Sequence, residues 1–153
     1  MSVAFRRESD EEHLEPKFEL PIPPGPNYVT PAGLAQIEVR VAELEAAIEA
    51  GGTEETLKAL KRDLRYWHQR QSSVIPAPAP APGGVGIGST VTFTLRDKRR
   101  TMTITGHDEA DPANGKIAFS SPLARTLLGL CAGDFADFAD EEEAIEINRV
   151  KAA

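Results

Sequence analysis

Two neighbouring stretches of the chain repeat one pattern, in which the residues of a stripe recur at every third or fourth position. Spacing of this kind puts the stripe on one face of an α-helix. The stripes consist of Leu34, Ile37, Val41, Leu44 and Ile48 in the first stretch, and of Leu57, Leu60, Leu64, Trp67, Gln71 and Val74 in the second. Because the two stripes can face each other, residues 30–75 are predicted to form an antiparallel coiled-coil hairpin.

The residues at the helix starts and between the helices fit this hairpin. Thr30 is placed to cap the first helix, with Pro31 at its first position. Gly51 and Gly52 are expected to end it, since glycine readily adopts the left-handed conformation of a C-terminal cap. Thr53 can cap the second helix. An acidic first helix would face a basic second helix, whose flank consists of Lys58, Lys61, Arg62, Arg65 and Arg70.

The last part of the chain alternates apolar and polar residues, which is the period of a half-buried strand. The predicted elements are strands at 91–95, 101–105 and 117–119, a short helix that Pro122 opens and Gly129 ends, and a closing strand at 145–150. Residues 97–100 would form a charged hairpin turn, and the acidic run from Asp134 to Glu143 a solvated loop. A sheet with one packed helix over residues 88–151 is an α+β domain.

Two other segments are predicted to lie outside these bodies. Residues 1–29 are acidic and then proline-rich, which favours an extended or disordered tail. That tail either keeps the protein in solution or carries a partner-binding strip at Phe18, Leu20 and Ile22. In residues 76–87 proline alternates with alanine before a glycine run, which favours a polyproline segment followed by a hinge.

Length and charge limit the classes of function. The chain has 153 residues, enough for a small domain and a helical pair, and its net charge of -7 argues against a protein that coats nucleic acid. No sequence-specific nucleic-acid binding is expected, whereas a basic surface on another protein remains a suitable partner. The single cysteine excludes an intramolecular disulfide, and no apolar run approaches the roughly 20 residues of a membrane span, so a cytoplasmic protein is expected. The oligomeric state is not indicated.

The usual arrangements of catalytic residues are missing. Ser121 precedes a proline rather than lying in a nucleophile elbow, and His107 has no nucleophile beside it. Asp108, Glu109 and Asp111 lack the spacing and the glycine of a calcium loop, so loop carboxylates that meet a basic partner are the favoured interpretation. The chain is therefore predicted not to be an enzyme and not to hold a metal of its own.

Several short motifs occur together in one order in the last part of the chain. They are Gly88-Ser89-Thr90-Val91, Asp108-Glu109-Ala110-Asp111-Pro112, Gly115-Lys116-Ile117, Ser121-Pro122-Leu123-Ala124-Arg125, Leu127-Leu128-Gly129 and Gly133-Asp134. With the preceding hairpin they resemble the GreA/GreB family of bacterial transcript-cleavage factors. The resemblance implies an FKBP-like C-terminal domain that docks on RNA polymerase beside its secondary channel. The docking residues that it implies are Asp108, Glu109, Asp111, Pro112, Ser121 and Pro122.

The resemblance also bears on the hairpin tip. In cleavage-active members of the family, two tip carboxylates help to hold a second Mg²⁺ at the polymerase active site, where two metals can clamp phosphoryl chemistry. Glu54 and Glu55 match them by location, but the family's longer tip motif is absent and the predicted helices are shorter. The resemblance thus implies a factor that modulates elongation, with cleavage stimulation left open. The alternatives are a non-cleaving module similar to regulators of nucleoside diphosphate kinase, and, by fold analogy alone, a prolyl isomerase.

Overall fold

A computed structural model describes residues 19–153. Its elements in chain order are β1 (Asn27–Val29), α1 (Pro31–Ala50), α2 (Glu54–Ser72), β2 (Val74–Pro76), β3 (Thr90–Leu95), β4 (Lys98–Thr105), β5 (Lys116–Ala118), α3 (Pro122–Leu127), β6 (Phe135–Phe138) and β7 (Glu141–Lys151). Two single-turn 3-10 helices, at 107–109 and 112–114, lie between β4 and β5. A helical hairpin followed by a mixed sheet confirms the predicted α+β class. None of the helices in the described part of the chain is long and apolar enough to cross a bilayer.

The described residues fall into two compact units. The first contains residues 19–24 and 38–72, which include most of α1 and all of α2. The second contains residues 25–37 and 73–153, so that the first two turns of α1 belong with the sheet.

The hairpin helices form where the apolar spacing predicts them. The helix α1 has 20 residues and α2 has 19. Along α1 the predicted stripe is buried at Ile37, Val41 and Leu44, which are 1%, 7% and 1% exposed. The backbone N–H of Thr56 donates to Thr53 Oγ1 over 3.1 Å, so the predicted cap of α2 is confirmed.

The end of α2 differs from the prediction. Periodicity extended the helix to Val74, but α2 ends at Ser72 and Val74 begins strand β2. Arg70, assigned to the basic flank, is only 3% exposed. The charged flanks also contribute little pairing between the helices, where His68 Nε2 lies 3.5 Å from Glu45 Oε2. The apolar stripe therefore carries most of the pairing energy, as expected for exposed ion pairs.

The second unit is built on a five-stranded sheet with the strand order β5-β4-β3-β7-β6. The pair β4 and β5 is parallel, and the other neighbours are antiparallel. Val91, Phe93 and Leu95 of β3 are buried, as the alternation predicts, and Ala124 and Leu127 of α3 are buried in the same apolar core. The predicted hairpin turn is displaced, since Arg96 and Asp97 adopt positive φ and β4 begins at Lys98.

The predicted hinge and the end of the predicted tail are part of this unit. Residues 27–29 form β1, which pairs in parallel with β2, and residues 1–18 of the tail lie outside the described part. Val85, inside the predicted hinge, is 2% exposed, donates to Leu130 O over 2.8 Å and accepts from Gly129 N over 2.9 Å. A free hinge at this point is therefore wrong, because burial of the Val85 side chain in the core and its backbone hydrogen bonds both hold the segment.

The predicted acidic loop is also partly a strand. Residues Phe135–Phe138 form β6 at the edge of the sheet, paired with β7. Ala136 and Phe138 are half-buried against the core, and Asp137 between them is exposed. This alternation stabilises a strand in spite of the acidic side chain. The acidic side chains themselves are exposed, as predicted.

Candidate functional site

The six residues predicted to dock a partner lie on two segments that flank the short edge strand β5. Asp108, Glu109, Asp111 and Pro112 belong to the loop between β4 and β5, and this loop folds back on the start of β5. There Asp111 N donates to Lys116 O over 2.8 Å, and Lys116 N donates to Asp111 O over 3.1 Å. A β-bridge of this kind fixes the loop against the sheet.

Ser121 and Pro122 begin α3 just after β5. Ser121 Oγ accepts from Ala124 N over 3.3 Å, and Pro122 occupies the first turn, where its missing N–H costs nothing. Pro122 is exposed and Ser121 is half-buried. Both residues are thus accounted for by the helix start, while the proline ring still faces solvent.

The loop presents Asp111 and Pro112 to solvent. Pro112 opens the second 3-10 helix, and Gly115 closes it with a φ of 75°, as the predicted Asn-Gly turn requires. Asn114 Nδ2 donates to Asp111 Oδ2 over 2.6 Å, which orients this carboxylate. Asp108 is half-buried on the preceding turn.

Glu109 has a different environment from its neighbours. Its carboxylate accepts from Thr30 Oγ1 over 2.7 Å, from Thr30 N over 3.4 Å and from Gly106 N over 3.2 Å. Thr30 Oγ1 in turn accepts from Gly33 N over 3.0 Å, which confirms the predicted cap of α1. A carboxylate at a helix start is stabilised by the unpaired N–H groups and the macrodipole, so Glu109 anchors α1 to the loop.

The contact between Glu109 and the start of α1 was not predicted from the sequence, although the glycine at position 33 is a signal for it. A glycine in the first turn of a helix is costly unless something needs the space. A Cβ at Gly33 would lie 2.8 Å from Glu109 Cγ, so the absent side chain makes room for this carboxylate.

A second contact holds β1 against the same loop. The rings of Tyr28 and Phe119 pack edge to face, with centroids 5.4 Å apart. At Gly106 a Cβ would lie 2.5 Å from Tyr28 O, so only glycine allows this approach. The loop that carries the predicted docking residues is therefore rigidly supported on the side facing β1.

The hairpin tip carries the other predicted site. Glu54 and Glu55 lie in the first turn of α2 and are both exposed. Gly51 and Gly52, with φ of 85° and 155°, make the turn that precedes them. Within residues 19–153, no group of three or more His, Cys, Asp or Glu side chains is arranged to hold a metal ion.

Residue Glu19 of the first unit contacts the middle of α2. Arg65 Nε donates to Glu19 Oε1 over 2.9 Å, and Arg65 Nη2 donates to the other carboxylate oxygen. This hydrogen bond, with smaller charge effects from Arg65 and Arg62, lowers the pKa of Glu19 below its ordinary value. The segment before β1 is thus tied to the basic side of α2.

A family of known proteins matches the C-terminal half of the chain. Residues 80–151 match the family described as "Transcription elongation factor, GreA/GreB, C-term". GreA of Helicobacter acinonychis is 50% identical over 40 residues, which cover 26% of this chain and 24% of that protein. GreA of Vibrio cholerae is 40% identical over 57 residues, or 36% of each chain. The chain thus spans only about a quarter to a third of the curated relatives it matches.

Two solved structures align over most of this chain at low identity. The GreA factor homolog 1 of Thermus thermophilus is 16% identical, with a TM-score of 0.39, over 84% of this chain and 100% of that one. The GreA/GreB elongation factor of Nitrosomonas europaea is 18% identical, with a TM-score of 0.40, over 84% of this chain and 99% of that one.

Proposed function

We propose that this chain, whose residues 80–151 match the C-terminal model of the GreA/GreB transcription elongation factors, binds RNA polymerase at the secondary channel and modulates elongation. In this proposal it acts on the polymerase and is not itself an enzyme. The observation that carries the proposal is the family match over residues 80–151, which include the whole five-stranded sheet, together with a solvent-facing loop at the predicted docking residues.

The proposed docking face consists of Asp108, Asp111, Pro112, Ser121 and Pro122. Its carboxylates suit a basic protein surface, and the exposed proline rings add apolar contact at low entropic cost. Glu109 belongs to the same face in the sequence, but its carboxylate is engaged with Thr30 and Gly106. We assign Glu109 the role of holding the loop in place for its neighbours.

The proposed role of the hairpin is to enter the channel. A helix of 20 residues is about 30 Å long at 1.5 Å per residue, so the hairpin is a short rod. In a cleavage-stimulating factor, Glu54 and Glu55 would share a Mg²⁺ ion with the polymerase active site. The ion would supply charge stabilisation to phosphoryl chemistry, while the two carboxylates of this chain would contribute only oxygen ligands.

Retention of RNA polymerase tests the docking face. The double variant Asp108→Asn/Asp111→Asn is expected to lose most binding to core polymerase in a pull-down at low salt, since it removes both carboxylates. The matched control Asp140→Asn/Glu142→Gln removes the same charge from exposed positions on the far end of the β6–β7 hairpin and should bind as the native chain does. Equal binding by both variants would rule out this face, and no retention by the native chain would rule out the polymerase proposal.

The second candidate is a non-cleaving interaction module, similar to the regulators of nucleoside diphosphate kinase. The observation that favours it is the length of the helices, 20 and 19 residues. If native chain fails to retain polymerase but retains nucleoside diphosphate kinase in the same pull-down, this second candidate replaces the first.

A further inference from the structure

The solvent-facing side of the sheet carries a ladder of threonines. Val91, Phe93 and Leu95 point into the core, so the alternate residues of β3 point away from it. Strand register places residues of β4 beside them on the same side. Thr90 Oγ1 lies 2.9 Å from Thr103 Oγ1, and Thr92 Oγ1 lies 3.2 Å from Thr101 Oγ1. We call the surface formed by Thr90, Thr92, Thr94, Thr101 and Thr103 the threonine face.

Four cations border the threonine face because of the strand pairing. Lys151 pairs with Thr90, Arg149 with Thr92, Arg99 with Thr94 and Lys116 with Thr103, and paired residues share one side of a sheet. All four side chains are exposed. None of them forms an ion pair or a side-chain hydrogen bond with another residue of 19–153.

Two carboxylates lie on this side of the sheet: Glu146, which pairs with Thr94, and Asp137, which lies between the core-facing Ala136 and Phe138 of β6. The surface is thus locally basic, although the whole chain has a net charge of -7. Strands lie about 4.8 Å apart and alternate residues about 7 Å apart, so the four cations spread over roughly 14 Å. Arg149 and Lys151 are alternate residues of β7, about 7 Å apart, so these two charges lie within the Debye length of about 8 Å at physiological salt and reinforce each other.

An exposed aromatic ring completes this surface. Phe135 of the edge strand β6 pairs with Glu146 and is 51% exposed, although a phenyl ring in water is unfavourable. A sheet face with cations, hydroxyl groups and one exposed ring has the groups that bind single-stranded nucleic acid. Phosphate oxygens would accept from Arg, Lys and the one free hydroxyl donor of each threonine pair, and a base would stack on the ring.

We propose that the threonine face with its four cations binds the backbone of single-stranded RNA without sequence preference, with Phe135 stacking on a base. The exposed ring favours RNA over an acidic peptide, because a nucleic-acid base can stack on it, whereas an acidic peptide needs cations but no stacking surface. The threonine hydroxyl groups beside the cations suit phosphate oxygens. This proposal goes beyond polymerase binding and does not depend on it, since the surface consists of residues outside the proposed docking face.

Fluorescence anisotropy of a labelled 20-nucleotide oligouridine tests the proposal with the full-length chain. Titration should reach about 100 μM protein, because non-specific binding typically has a Kd of 10⁻⁴ to 10⁻⁶ M. With four phosphate contacts the slope of log K against log salt is about -0.7 per contact, or about -2.8, so affinity falls about 50-fold between 50 and 200 mM salt.

A pair of matched variants locates the binding surface. Arg149→Gln/Lys151→Gln removes two cations from the threonine face and should halve the slope to about -1.4. The control Lys98→Gln/Arg100→Gln makes the same change of charge at exposed positions that pair with Leu95 and Phe93, on the opposite side of the sheet. This control should keep the native affinity and slope. Thermal melting of both variants checks that they are folded.

A third variant separates stacking from charge. Phe135→Ala should lower the affinity about tenfold and leave the salt slope unchanged, because stacking releases no counterions. The proposal is overturned if native chain does not bind the oligonucleotide at 50 mM salt, or if the two double variants bind equally. Tighter binding of poly-glutamate than of oligouridine would also overturn it. A polymerase pull-down with the same variants reports the proposed function separately.

Discussion

Alanine at position 33 is expected to destabilise the native chain but to stabilise a chain that lacks Glu109. In the native structure the three atoms nearest to a Cβ at Gly33 all belong to the Glu109 side chain. Gly33→Ala therefore displaces this carboxylate from Thr30 and Gly106. Replacing Glu109 with alanine removes these three atoms, and the ordinary preference of helices for alanine then decides the sign.

The magnitudes follow from the contacts. The displaced carboxylate loses three hydrogen bonds, and since Glu109 and Thr30 are only half-buried, we take the loss as about 2–3 kcal/mol in total. Alanine in place of glycine in a helix returns about 0.5–1 kcal/mol. Gly33→Ala should thus cost about 1–2 kcal/mol in the native chain and stabilise the Glu109→Ala chain by about 0.5–1 kcal/mol.

A double-mutant cycle measures this coupling. The four chains are the native one, Gly33→Ala, Glu109→Ala and the double variant, each unfolded with urea and followed by circular dichroism. Contact between the two positions predicts a coupling free energy of about 2–3 kcal/mol. Hydrogen exchange of the backbone amides of residues 32–35 shows whether the change is at the start of α1.

Additive effects would refute the anchor. If Gly33→Ala stabilises the native chain, or has the same sign in both backgrounds, Glu109 does not occupy the space beside Gly33. The control Asp108→Ala changes the neighbouring carboxylate and should leave the effect of Gly33→Ala unchanged, because Asp108 is not among the groups around Gly33.

Two further predictions concern the first unit. If the tip carboxylates share a metal ion, the double variant Glu54→Ala/Glu55→Ala abolishes any stimulation of transcript cleavage in backtracked polymerase. Retention of polymerase by this variant should be unchanged. Stimulation that survives the double change would exclude this role. Because Arg65 lowers the pKa of Glu19 in the folded chain, the pair stabilises above the ordinary pKa of glutamate, and that stability is lost as the pH falls through the lowered pKa. The difference in Tm between native chain and Glu19→Gln should therefore be present at neutral pH and vanish in acid; a difference that is the same at both values would contradict the pairing.

Much of the secondary structure could be predicted from local patterns. The cap at Thr30, the glycine turn at Gly51 and the helix start at Pro122 were all identified from residues within one turn of the feature. Such features depend on interactions between neighbours in the chain, so they need no knowledge of the fold. The predictions were wrong where contacts between distant segments outweigh local composition. Val85, for example, lies in a segment whose composition predicts a hinge, but its side chain is buried in the core.

The candidate site was predictable only in part. Its motif residues were found in one loop and one helix start. The sequence did not show that Glu109 is bound to Thr30 and Gly106 while Asp111 and Pro112 are exposed. The partners Thr30 and Glu109 are 79 residues apart, and no local spacing relates them. Sequence patterning likewise assigned Arg99 to a hairpin turn and Arg149 to the closing strand, with no reason to group them.

By itself the amino-acid sequence determined the helices, most strands, the α+β class and the family-like motifs, because periodicity and capping act over a few residues. Tertiary structure alone decided what those elements bring together. The fold seats Glu109 at the start of α1, and the strand order β5-β4-β3-β7-β6 collects four cations on one side of an acidic protein. Contacts of this kind depend on how the chain closes on itself and on the register of strands far apart in sequence, and a single sequence does not encode either in any local pattern.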